Sequence, residues 1–368
     1  MKANIFLYRL GMLAMFLCCS MLVNGQHISD NTQVSLSGEA VLKELIADNM
    51  LICQRSSGGW PKAIGSVKLD YKKKLSTSEI AAIRDDFSRN DATIDNGATV
   101  KEIRFLAEQY KQTSKKPYLE AVQSGLLYLL KAQYPNGGWP QFFPDTSGYR
   151  KHITFNDNAM VNVLSLLQDV SERSHFMDVV DLSLSAVAKN AVSKGIKCIV
   201  NTQVKVDGKL TAWCAQHDNN TLLPANARSY ELISLSGMES SGIIEFLMRQ
   251  KNPSEEVKAA IVASVNWLKT VELKGLKYVD IPDSSKPKGY DRLLLKDPDG
   301  GVWARFYEVK TNEPFVSGRD GIKKKDLNEI EYERRAGYAW YGTWPKSLLN
   351  TKYPKWAATN LTKSTSYK

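Results

Sequence analysis

One tetrapeptide constrains this chain more than any other feature. Gly58-Gly59-Trp60-Pro61 returns as Gly137-Gly138-Trp139-Pro140. A glutamine opens each copy: Gln54 in the first, and Gln133 in the run Gln133-Tyr134-Pro135-Asn136 of the second. A threonine-led segment follows each copy and leads into helical sequence. These segments are Thr93-Ile94-Asp95-Asn96-Gly97-Ala98 and Thr154-Phe155-Asn156-Asp157-Asn158-Ala159. Two weaker echoes come later, Trp213 with Gln216 and Gly342-Thr343-Trp344-Pro345. Taken alone, Gly-Gly-Trp-Pro is a helix stop followed by a packed indole. Repeated with its trailing segment, it predicts helical hairpins stacked as an α/α toroid, whose loops gather at one end and line a groove.

Helical spacing of apolar residues supports this. Val41, Leu42, Leu45, Ile46 and Met50 form one stripe, and Ile103, Leu106, Ala107 and Tyr110 a second. Leu119, Val122, Leu126, Leu129 and Leu130 form a third; Met160, Val163, Leu164 and Leu167 form a fourth. Further helices are expected near 177–194, 229–249 and 254–271, and residues 196–213, with Ile196, Cys198, Val200 and Val204, read as a short ribbon. The chain is therefore expected to be mainly α, with a helical part over about 38–272. Residues from about 273 to 350 are rich in Gly, Pro, Asp and aromatics and read as an irregular, loop-rich lobe. So long an irregular stretch usually carries function.

Residues 1–25 read as a signal peptide. Lys2 and Arg9 precede the apolar run Leu10 to Val23, which is short for a membrane span, and polar Asn24, Gly25 and Gln26 follow. Export to the periplasm or outside the cell is expected, without stable membrane insertion. Residues 26–368 then form the working region. A lipoprotein is disfavoured because Met15, Phe16 and Leu17, just ahead of Cys18, include no small residue. Beyond the leader, Cys53, Cys198 and Cys214 are too few and too widely spaced for a disulfide scaffold or a zinc site, so buried free thiols are expected. The net charge of +10 suits an acidic partner, and export argues against nucleic acid.

The two Asp-Asn pairs, Asp95-Asn96 and Asp157-Asn158, fall at expected helix starts. Either pair alone is most simply an N-cap. On equivalent loops of a repeat, however, their side chains can converge. Two carboxylates and an amide oxygen are hard donors suited to Ca²⁺, with the remaining ligands coming from water or a bound molecule. Arg228, in Pro224-Ala225-Asn226-Ala227-Arg228-Ser229-Tyr230-Glu231, is placed where a loop meets a helix; its plainer reading is a surface ion pair with Glu231. Arg305 in Trp303-Ala304-Arg305-Phe306-Tyr307-Glu308 and Arg319 in Ser317-Gly318-Arg319-Asp320-Gly321 stand among aromatics, as on a carboxylate-reading surface. Taken singly, each is more often a structural ion pair.

Jointly and in this order, these motifs resemble the family 10 polysaccharide lyases, the pectate lyases, over Gly58 to about Leu348. The resemblance implies a mainly α fold: an incomplete (α/α) toroid with an irregular second lobe across a substrate cleft. It also implies roles. Asp95, Asn96 and Asp157 would bind Ca²⁺ and the galacturonate at the cleavage point, with Asn96 also touching substrate. Arg228 would be the catalytic base, and Arg305 and Arg319 would contact substrate carboxylates. Lys269 would be a further substrate contact. The implied activity is calcium-dependent β-elimination on α-1,4-polygalacturonate, giving 4,5-unsaturated oligogalacturonides, by a monomer.

The chemistry is coherent. The C5 proton of galacturonate lies α to a carboxylate, so its removal places charge where a cation and a guanidinium can stabilise it. Arginine has a reference pKa above roughly 12, so a guanidinium base implies an alkaline optimum; neighbouring cations would assist by lowering that pKa. Three other readings stand beside this one. An inverting glycoside hydrolase would use Asp95 and Asp157 as its carboxylate pair. A terpene-cyclase-like toroid lacks support, having no evident acidic protonation motif or apolar cavity. A non-catalytic acidic-polysaccharide-binding protein would keep the arginines without turnover.

Overall fold

The computed structural model describes residues 38–361. The expected signal peptide (residues 1–25) and Cys18 and Cys19 lie outside the described residues. Among the described residues, no helix is long and apolar enough to cross a membrane.

The described chain is mainly helical. Helix α1 (Gly38–Cys53) is followed by α2 (Thr77–Asp85), and then by three helical hairpins. These pair α3 (Val100–Thr113) with α4 (Lys116–Ala132), α5 (Ala159–Glu172) with α6 (Leu182–Thr202), and α7 (Gly237–Met248) with α8 (Glu255–Thr270). The repeat has a physical basis in hydrogen bonds that recur from hairpin to hairpin. The Trp60 indole donates to the Met50 carbonyl near the end of α1 at 2.7 Å, and Trp139 donates to Leu129 near the end of α4 at 2.8 Å. Trp213 donates to Ile199 of α6 at 2.8 Å, and Trp303 to Leu268 of α8 at 2.7 Å. Each indole is almost completely buried and satisfies a carbonyl that the helix end leaves open.

Glutamine completes the first three joints. Gln54 donates to Gly58 of its own turn and to Ala121 of α4, and Gln133 to Gly137 and to Ala191 of α6. Gln203 donates to Thr211 and to Ala260 of α8. Each glutamine thus ties one turn to the next hairpin. The third partner of the series is Gln203 rather than Gln216, and the fourth indole is Trp303 rather than Trp344, which instead opens a short helix, Trp344–Ser347.

Three expectations about elements are corrected. The ribbon expected over 196–213 is helical as far as Thr202, where α6 ends with Cys198 and Ile199 in the core, and only Lys205–Val206 and Lys209–Leu210 pair as strands. The helix expected over 229–249 begins only at Gly237, where the Ser236 side chain caps α7, so Arg228 lies in the preceding loop. The stretch expected to be irregular holds the longest strands: Leu273–Pro282 pairs antiparallel with Tyr290–Ala304, and Tyr341–Gly342 adds to the other edge. Both faces of that hairpin are partly exposed over most of its length, so no alternation of apolar and polar residues marks it. A second small sheet joins Phe306–Tyr307, Pro314–Ser317 and Lys323–Lys324. One buried core runs through helices and strands alike. Cys53, Cys198 and Cys214 are free and buried, as expected, and burial pushes the thiols of Cys53 and Cys198 up to about 11 and about 12.

Candidate functional site

The two threonine-led segments each close one tight turn, ahead of α3 and α5, and the turns pack against each other. Their backbones match closely. Asn96 has φ 52° and ψ 31°, and Asp157 has φ 50° and ψ 33°. Asn and Asp are the non-glycine residues that best tolerate this left-handed region. The match sets the repeat's register: Asp95 corresponds to Asn156, and Asn96 to Asp157. The pairing of Asp95-Asn96 with Asp157-Asn158 was one residue out. Capping does not explain these residues, because neither Thr99 nor Asn158, which cap α3 and α5, makes a side-chain capping bond.

Asp157 is held by partners from two distant segments. Its amide donates to Glu239 Oε1 at 3.1 Å, and Asn156 Nδ2 donates to its Oδ2 at 2.9 Å. Arg305 Nη2 donates to Asp157 Oδ1 at 2.9 Å, Asn156 Oδ1 at 3.0 Å and Glu239 Oε1 at 2.5 Å. Glu239 is 0% exposed and Arg305 2%. Burial pulls the Arg305 pKa down, but the Glu239 and Asp157 charges outweigh it, and the net direction is up. This one guanidinium thus faces two carboxyl groups. Sequence reasoning missed Glu239 as a site residue. Its available signal was the spacing Ser236-x-x-Glu239, which places a glutamate in the first turn of α7.

Asp95 is almost fully buried and ion-paired with Lys62, which also stands 5.6 Å from the Phe142 ring centre. Asn96 Nδ2 reaches Asp95 Oδ2 at 3.4 Å. The oxygens of Asp95, Asn96 and Asp157 are hard donors on two adjoining turns. Among the described residues no group of three or more His, Cys, Asp or Glu could hold a metal unaided. The donor chemistry fits Ca²⁺, provided most of its ligands come from water or a bound anion.

Arg228 is half-buried and held by Glu231: Nε donates to Oε2 at 2.8 Å and Nη2 to Oε1 at 2.5 Å. The plainer reading of that pair is thus realised, although Glu231 itself is buried. Burial pulls the guanidinium pKa down; the Glu231 carboxylate more than offsets this and leaves it above its ordinary value. The charge beside Arg228 is therefore the opposite of the cations expected to lower its pKa. Glu231 also accepts from the Tyr338 hydroxyl at 3.4 Å, and the Arg305 guanidinium lies 4.4 Å over the Tyr338 ring. A continuous path thus runs from Arg228 through Glu231, Tyr338 and Arg305 to Asp157.

Arg319 is exposed, ion-paired with Glu333, and 5.8 Å from the ring centre of Tyr230, on which Arg228 also stacks at 4.9 Å. The structure therefore brings Asp95, Asn96, Asp157, Arg305, Arg228 and Arg319 into one region. Lys269 stands apart from these contacts: it is exposed on the last turn of α8, with its ammonium 5.5 Å over the Tyr353 ring.

The sequence profile of the family described as pectic acid lyase matches residues 54–349. Two solved structures of a family 10 polysaccharide lyase from Cellvibrio cellulosa are similar at 36% identity. One, an aspartate-to-alanine mutant in complex with trigalacturonic acid, has a TM-score of 0.74 over 86% of this chain and 92% of that one. The other has a TM-score of 0.73 over 86% and 91%. No curated protein matches.

Proposed function

The chain belongs to the pectic acid lyase family, the family 10 polysaccharide lyases, and is a polysaccharide lyase; from that premise we propose that it is an exported, monomeric pectate lyase that cleaves α-1,4-polygalacturonate by calcium-dependent β-elimination. The observation that carries the reading is the path from Arg228 to Asp157, which links a proton-accepting candidate to the aspartate turns. In this reading the helical hairpins form an incomplete (α/α) toroid over about 38–272. The strand-bearing part, about 273–350, supplies the opposite wall of a cleft.

Arg228 is assigned as the base that takes the C5 proton. Asp157, Asn96 and Asp95 would hold Ca²⁺, which when bound supplies positive charge to the uronate carboxylate. Arg305 fixes Asp157 and Glu239 in place; as a substrate contact it would use an edge of its guanidinium not engaged with them. Arg319 would bind a neighbouring carboxylate, where a guanidinium fork suits the planar group. Lys269 is kept as a more distant substrate contact. After C5 loses its proton, the electron pair forms the C4–C5 double bond and the C4 oxygen leaves with its chain. No water is consumed, which separates this reaction from hydrolysis.

The test is polygalacturonate incubated with Ca²⁺ or with EDTA and followed by ultraviolet absorbance. An unsaturated product conjugated to the carboxylate should absorb with Ca²⁺ and vanish with EDTA. Chain shortening without absorbance would overturn the lyase chemistry, and undiminished absorbance in EDTA would overturn the calcium assignment.

A further inference from the structure

The proposed chemistry gives Arg334 no role, although it stands beside two arginines that have one. Three guanidiniums surround the Tyr230 ring: Arg228 at 4.9 Å, Arg319 at 5.8 Å and Arg334 at 4.6 Å from its centre. Arg334 lies in the short helix Tyr332–Arg335, which is fixed from outside because the Trp340 indole donates to the Arg334 carbonyl at 3.0 Å. Its side chain is only 14% exposed, so its direction is set by packing.

One carboxylate stands between two of these cations. Arg319 Nε donates to Glu333 Oε1, and Arg334 Nε donates to Glu333 Oε2 at 2.8 Å. Glu333 is pulled below the usual carboxylate range by its hydrogen bonds to Arg319 and Arg334. Glu331 accepts from the Arg319 backbone amide at 3.2 Å. The two guanidiniums therefore already hold a carboxylate, one tethered to a side chain that is 48% exposed. A soluble anion with the same group can take that place. The location fits a polymer, because contacts run from the Asp157 turn through Arg305, Tyr338, Glu231 and Arg228 to the Tyr230 ring, which Arg319 and Arg334 also face.

We propose that Arg319 and Arg334 form an outer subsite for the carboxylate of a uronate beyond the cleaved linkage, and that Glu333 fills this subsite in the free protein and is displaced by substrate. The inference rests on the pectate lyase reading. It adds Arg334 as a binding residue and Glu333 as an internal competitor. A purely structural role for Glu333, bracing two arginines, predicts the opposite sign on mutation, and this makes the question decidable.

The experiment is steady-state kinetics on hexagalacturonate at fixed Ca²⁺ with Glu333→Gln and Arg334→Ala. Arg334→Ala should raise KM about tenfold, the usual loss for a charged hydrogen-bonded contact, with kcat nearly unchanged. Glu333→Gln, a conservative change at an exposed position, should lower KM about threefold or more, because the competing charge is gone. A raised or unaltered KM in Glu333→Gln overturns the displacement, and an unaltered KM in folded Arg334→Ala overturns the subsite. Failure of the parent protein to release unsaturated product from hexagalacturonate would instead overturn the underlying function.

Discussion

Arg228 raises a problem of protonation that Glu231 sharpens. A base must be free of its proton, yet the bidentate contacts at 2.8 and 2.5 Å stabilise the charged guanidinium. The sign is unambiguous: a carboxylate partner raises the pKa, so neutral Arg228 forms only at higher pH, and the rate should climb through the alkaline range. Removing the charge while keeping the shape reverses this. In Glu231→Gln the alkaline limb of kcat should move to lower pH by roughly one to three units, the range for one close opposite charge. A limb that stays in place while its height changes would mean that Glu231 orients Arg228 without setting its charge. Arg228→Ala should lose about 10²- to 10⁴-fold in kcat, with binding of trigalacturonate retained in calorimetry. Retained turnover would remove Arg228 from the chemistry.

At the scale of elements, the Asp157 turn is positioned by how closely α7 approaches it. Gly242 permits that approach: a Cβ there would stand 2.0 Å from Asn158 Oδ1. Gly242→Ala must therefore displace the Asn158 side chain, and through the shared turn it should shift the adjoining Asp157 relative to Glu239 and Arg305. Alanine is a good helix former, so α7 itself should persist. Circular dichroism should show unchanged helix content while kcat/KM falls by at least about tenfold, in line with the sensitivity of catalysis to small displacements. Unchanged activity would show that the turn tolerates the shift.

The same elements explain what could be read from the amino acids alone. The Gly-Gly-Trp-Pro copies and the glutamines ahead of them were legible because each performs a local task, a turn and a capped helix end, that repeats in the sequence. Trp303 was not legible as the fourth indole. It reaches Leu268 from the far end of the strand hairpin's second strand, so nothing in local spacing announces it. The wider role of Glu231, and Glu239 altogether, were hidden for a related reason. Each sits three residues from a plausible local partner, Arg228 or Ser236, while its decisive neighbours, Tyr338 and Arg305, come from the far part of the chain. The one-residue register between the aspartate turns became visible only through backbone angles.

Taken as a whole, the molecule joins its helical and strand-bearing parts through buried hydrogen bonds. Leu235 and Tyr307 exchange backbone bonds at 2.9 Å, the Tyr307 hydroxyl donates to Val271 at 2.8 Å, and Ser317 Oγ donates to Tyr230 at 2.7 Å. Arg228 and Glu239 approach from the helical side and Arg305, Arg319 and Arg334 from the strand side, so both sides supply charge to one region. The chain carries +10 overall with pI ≈ 9.1, which favours encounter with a polyanion. Such attraction is screened over about 10 Å at roughly 0.1 M salt, whereas paired groups at the turns are screened less. Raising NaCl from about 0.05 M to about 0.5 M at constant free Ca²⁺ should therefore raise KM for polygalacturonate severalfold and leave kcat nearly level. The KM for trigalacturonate, which meets fewer of these charges, should rise less. Equal salt sensitivity for both substrates would place the dependence on the aspartate turns instead of the surrounding arginines.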